Sequence, residues 1–144
     1  MKRTNTQFSE SINNIKIGVW KLSGIDEEQT VWRADLIIQT IRNNTCIGYF
    51  DWYSGVNEFY RGREYFEGTY LEARRRIELR GTRLENVQLY QIYQRRGLIL
   101  GVYQASLSND GLTLYDGYWG DQKEVVVPGT WRAEWVKHQY DSGL

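Results

Sequence analysis

Along most of this chain a glycine, an aromatic ring or an aliphatic side chain takes every second position. Gly18, Trp20 and Leu22 alternate in this way, as do Trp32, Ala34, Leu36 and Ile38, then Gly48, Phe50 and Trp52, then Phe66, Gly68 and Tyr70. The pattern returns in Ile77, Leu79 and Gly81, in Ile99, Gly101, Tyr103 and Ala105, in Gly117 and Trp119, and in Gly129, Trp131, Ala133 and Trp135. Successive side chains of a strand point to opposite faces, so a period of two marks the face that packs. The intervening Arg33, Asp35, Asp51, Glu67, Arg74, Arg76, Glu78, Arg80, Arg132 and Glu134 form the solvent face, and all six tryptophans fall on the packed one. Where a sheet curls far enough to close, its concave face is crowded. Glycine there leaves room for a ring from a neighbouring strand and eases the bend. The spacing predicts an all-β chain, a closed antiparallel up-and-down β-barrel of about eight strands; a β-sandwich with glycines at bulges is the alternative.

Strands are expected near Ile15 to Leu22, Thr30 to Arg42, Thr45 to Ser54, Arg63 to Leu71, Arg74 to Arg80, Glu85 to Tyr93, Leu98 to Leu107, Leu112 to Trp119 and Thr130 to Val136. The turn residues of "RNNT" at 42–45, "QRRG" at 94–97 and "SNDG" at 108–111 fit hairpins. These nine runs exceed an eight-stranded barrel by one, and Glu85 to Tyr93 or the split around Pro128 is the surplus. Phe8, Ile12 and Ile15 are spaced as one stripe of a short helix, a frayed tail being the other reading. Residues 1–14 are therefore a tail or short helix, 15–137 the barrel and 138–144 a C-terminal tail. The segments 23–30, 55–62 and 120–129 are loops of a length that often carries function.

A chain of 144 residues is one domain and buries a core without staples. Eighteen basic and eighteen acidic residues cancel, so no global field draws nucleic acid or an anionic membrane. The run "EARRRIELR" at 72–80 alternates its arginines outward among glutamates, which reads as a salt-bridged solvent face; the rings that would stack on bases turn inward. The lone Cys46 makes no internal disulfide, and no apolar stretch approaches the roughly 20 residues of a membrane span. A cytoplasmic protein is expected.

The arrangement resembles the calycin group of small barrels, the lipocalin-like and avidin-like proteins. The residues that carry the resemblance are Gly18-Val19-Trp20, the Gly-x-aromatic of Gly48 to Phe50 and Gly101 to Tyr103, the "IELRG" of Ile77 to Gly81 and the closing "GTWRAEW" of Gly129 to Trp135. It implies an up-and-down barrel with a ligand site inside. No biotin-pocket residue carries over, and a single cysteine departs from the disulfides of many lipocalins.

An eight-stranded barrel is just wide enough to be filled by side chains or to hold one small ligand. The candidate ligand-binding residues are Trp20, Trp32, Arg42, Phe50, Trp52, Tyr70, Arg75, Tyr103, Trp119 and Trp131. One mouth is expected to carry Arg42, Cys46, Tyr70, Arg75, Tyr93 and Trp119, and the other Glu64, Gly81, Thr113 and Trp135. Arg42 and Arg75 among rings could pair with an anion or snorkel to water. Outward, Leu98, Leu100, Val102, Leu112, Leu114 and Tyr118 are expected to form an apolar strip for self-association, a protein partner or a covering segment. Catalysis has little support: His138 is the single histidine, which leaves no multi-histidine metal site, and no phosphate-cradling loop occurs. Cys46 reads as a small core residue and Glu64 as a rim glutamate that would serve as a general acid only if buried. No catalytic residue, metal or cofactor is assigned. The two leading readings are a non-catalytic binder of a small apolar or aromatic ligand, an anionic one included, in an aromatic-lined mouth, and a packed barrel that acts as an interaction module.

Overall fold

The computed structural model describes residues 14–54, 58–88, 98–122 and 129–138. Among them the alternating runs form β1 (Gly18–Ile25), β2 (Val31–Arg42), β3 (Thr45–Ser54), β4 (Phe59–Leu71), β5 (Arg76–Glu85), β6 (Gly101–Leu107), β7 (Thr113–Asp121) and β8 (Gly129–Lys137). Each strand pairs antiparallel with the next, and β1 also pairs with β8, so the sheet closes as an eight-stranded up-and-down barrel. One short 3-10 turn, Glu72–Arg74, interrupts it. Glu85 is the last residue of β5 and 86–88 are not strand, while 89–93 lie outside the described residues, as do Tyr93, the N-terminal stripe up to Asn13 and most of the 120–129 loop.

The two ends of the barrel differ in their connections. At the turn end, Asn43 and Asn44 take left-handed φ values of 51° and 66°, a conformation asparagine tolerates, and join β2 to β3 in a tight hairpin. The turns 72–75 and 108–112 share that end. Ile15, only 3% exposed, joins the barrel core there. Its neighbours are lashed down by indoles: Trp20 Nε1 donates to the Lys16 carbonyl at 3.0 Å and Trp135 Nε1 to the Ile17 carbonyl at 3.1 Å. The loop end carries 26–30, 55–58 and the longer connections after β5 and β7.

One continuous core of inward rings and aliphatics fills the barrel, including Trp20, Leu36, Phe50, Trp52, Phe66, Tyr70, Leu79, Tyr103, Trp119 and Trp131. Glycines make the room expected of them. A Cβ on Gly129 would stand 1.6 Å from Trp119 Nε1, and one on Gly81 2.0 Å from Glu64 Oε2. A second, smaller cluster of Val19, Ile37 and Tyr49, with Tyr65 against it, lies on the opposite face of β1 to β4.

Strict alternation fails at bulges, and two expectations fail with it. The register slips between Leu114 and Gly117, where Asp116 adopts a φ of 51°, so Leu114 turns into the core and is fully buried. Leu114 is therefore no part of an outward strip. Before β6 the chain is irregular, and Leu98 packs against the core while Ile99, expected inside, is exposed. Of the strip, Leu112 and Tyr118 are exposed and Leu100 and Val102 half-buried.

Candidate functional site

The expected mouths regroup once the strand count is corrected. Reading Glu85 to Tyr93 as a strand reverses the direction of everything after it, which put Trp119 at the wrong end. Trp119 in fact shares the loop-end half with Glu64 and Gly81, and Thr113 and Trp135 stand at the turn end with Arg42, Cys46, Tyr70 and Arg75.

The turn end is closed. Tyr70 is buried in the core, Arg42 is exposed, and Arg75, in a left-handed conformation, donates to the Leu107 and Ser108 carbonyls and so ties down the β6–β7 turn. Arg42 thus stands at the surface and the Arg75 guanidinium is engaged by backbone carbonyls. Burial pushes the Cys46 thiol up to about 11, so the protonated, unreactive form prevails at neutral pH. Trp20 and Trp131 are buried core residues whose N–H groups are taken by the Lys16 and Tyr118 carbonyls.

The other five candidate residues converge near the loop end. Trp52 is the hub: its ring centroid lies 4.9 Å from Phe50, 5.9 Å from Trp32, 5.9 Å from Tyr103 and 5.4 Å from Trp119. β3 and β7 are four steps apart in a ring of eight, so the Trp52–Trp119 contact spans the full diameter of the lumen. Phe50 and Tyr103, three strands apart, meet at 4.6 Å. The indoles are also anchored through their N–H groups, Trp32 to Asp26 Oδ2 and Trp119 to the Ile25 carbonyl, both at 3.0 Å.

Beneath these rings lies a carboxyl that the sequence placed inward but at a rim. Glu64 follows the phase of Phe66 and is fully buried. Its Oε1 accepts from Trp52 Nε1 at 2.9 Å and Tyr103 OH at 2.5 Å, and its Oε2 from the Gly101 backbone N–H at 2.8 Å. Among the described residues no cation pairs with it. Desolvation drives its pKa up to about 7 against the pull of these three donors, so the group changes charge near neutrality. Tyr103 is pushed well above the ordinary phenol range, by its own burial first and then by the Glu64 charge and hydrogen bond.

Two further residues at this end come from segments read as loops. Arg61, 2% exposed, donates to Ser54 Oγ at 2.6 Å and stands 5.2 Å over the Trp32 ring; burial lowers its pKa. It faces in because β4 starts at Phe59 and slips register at Trp52/Tyr53 beside Gly62, whose φ is 137°. Gln122, just past β7, donates from its amide to the Gly81 carbonyl. Glu64 alone was findable from alternation; Arg61 and Gln122 depend on irregular backbone that a period of two does not describe.

Comparison with protein-family models, with curated proteins and with solved structures finds no match to this chain. Among the described residues there is no group of three His, Cys, Asp or Glu placed to hold a metal, and no helix is long and apolar enough to cross a membrane.

Proposed function

We propose that this chain is a non-catalytic, calycin-like barrel of the cytoplasm that binds one small apolar or aromatic molecule at its loop end, among Trp32, Phe50, Trp52, Tyr103 and Trp119. The observation that supports it is Glu64, an ionisable carboxyl with no cationic partner among the described residues, buried amid rings at the end with the longer connections. A barrel that needs only a filled core gains nothing from a buried charge, and such breaks of local rules cluster where proteins function. Arg61, stacked over Trp32 at the same end, suits an acidic group on the ligand.

The test is a titration with N-phenyl-1-naphthylamine and with one- and two-ring aromatic carboxylates, followed by tryptophan emission and thermal unfolding. A binder shows quenching and a Tm that climbs with ligand concentration, and Trp119→Ala alters both. If no compound moves either signal, the reading falls. The rival, a packed interaction module, draws on the ring contact that already spans the lumen and on the exposed Leu112, Tyr115 and Tyr118. It requires a concentration-dependent mass that Leu112→Arg abolishes.

A further inference from the structure

The β5–β6 ladder ends early at the loop end. β4 holds β5 out to the Arg63–Glu85 pair, whereas β6 holds it only from Arg76–Ser106 to Arg80–Val102. One step further, Gly81 and Gly101 would stand opposite each other. Instead the Gly101 N–H turns to Glu64 Oε2 at 2.8 Å, and the Gly81 carbonyl takes the Gln122 amide, which also reaches the Gly101 carbonyl at 3.5 Å. Side chains from β4 and from beyond β7 therefore join the seam where backbone pairing has stopped. Gly81 places no side chain between this seam and the carboxyl, since its Cβ would fall 2.0 Å from Glu64 Oε2.

We propose that the β5–β6 seam beside Gly81 and Gly101 is the entrance to the aromatic site and that Glu64 is its proton-dependent latch, shut with the carboxyl protonated and loosened with it ionised. The entrance rests on the ligand-binding reading above; the latch does not. Among the described residues the groups that meet the carboxyl are the Trp52 indole from β3, Gly81 from β5, and the Gly101 N–H and Tyr103 hydroxyl from β6, of which Tyr103 is titratable. An ionised carboxylate there has neutral donors and, among the described residues, no counter-charge, and opening the parted seam would hydrate it.

The sign follows from linkage. In the shut barrel burial holds Glu64 at about 7, against an ordinary value of 4.5 once the group is hydrated. The shut state thus binds the proton more tightly, and the opening equilibrium rises with pH between those values and levels off above them. The full rise is up to about two orders of magnitude.

Amide exchange on the intact protein tests the latch with no ligand present. Protection at Gly101, corrected for the chemical exchange rate, should be weaker than at Leu36 in β2 at every pH and should fall at least about tenfold between pH 5.5 and 8. In Glu64→Gln it should stay flat, and Gln122→Ala should lower it at every pH without removing the pH dependence. The uptake rate of neutral N-phenyl-1-naphthylamine should follow the same curve. Gly101 protection that is flat across the wild-type pH series, or equal to that of Leu36 at every pH, overturns the latch whatever the probe does and whether or not the variants fold. A pH-dependent Gly101 with a probe that binds at a pH-independent rate overturns the entrance and keeps the latch. A pH-dependent Gly101 with no probe binding at all sinks the ligand-binding reading, and the entrance with it.

Discussion

Glu64 sets the behaviour of the molecule at the scale of a single side chain. Its folded pKa is raised from 4.5 to about 7, so its favourable contribution to folding is fully present below pH 4.5 and is lost as the pH climbs through 7. Over that window the shift is worth about 3 kcal/mol. Denaturant unfolding at pH 5 and pH 8 should therefore show wild type losing stability on the alkaline side by that margin relative to Glu64→Gln. Equal changes in the two proteins would mean that the carboxyl titrates as if in water. The comparison of slopes matters more than the baseline, because a glutamine at this position turns an NH2 group toward a shell made of donors and leaves at least one bond unmade. Gly81 belongs to the same unit: the carboxyl occupies the space in which any other residue's Cβ would stand.

The strands show where alternation is a sufficient guide and where it stops. Leu114 and Leu112 share a parity, and the sequence gives no reason to separate them; the slip between Leu114 and Gly117 sends the first into the core, while the second lies in the turn before β7 and stays outside. Leu114→Arg should bury an unpaired charge at a cost of several kcal/mol, a large part of the stability of a domain this size, whereas Tyr118→Arg should stay within about 0.5 kcal/mol. Thermal and denaturant unfolding of the two variants settle it, and comparable losses would contradict the assigned bulge. The barrel and its inward tryptophans were readable because β1 to β4 keep a period of two over most of their length, and five of the ten proposed ligand residues do meet in one cluster. Arg61, Gln122 and the true end of Trp119 were not readable, for one physical reason. Each depends on a bulge, a left-handed glycine or the direction of a strand, and none of these leaves a mark in residue type at regular spacing.

At the scale of the whole barrel the two ends are built for different work. The turn end is sealed by short hairpins, by Arg75 on the β6–β7 carbonyls and by Ile15 drawn into the core under the Trp20 and Trp135 bonds to its neighbours. The loop end concentrates the anchored rings, the buried carboxyl, the buried guanidinium and the parted seam. Sealing one end lets stability and ligand exchange be set at separate places, and that separation is measurable. Ile15→Ala should cost about 2–4 kcal/mol from the cavity it leaves while N-phenyl-1-naphthylamine affinity stays at the wild-type value. Trp119→Ala should cost about 3–5 kcal/mol and change that affinity, because it removes one of the two rings that meet across the lumen. With the sites at opposite ends, the double variant should show stability losses that add within about 0.5 kcal/mol. A coupling well above that, or a loss of probe binding from Ile15→Ala alone, would mean that the core transmits strain along the barrel axis and that the ends do not act independently.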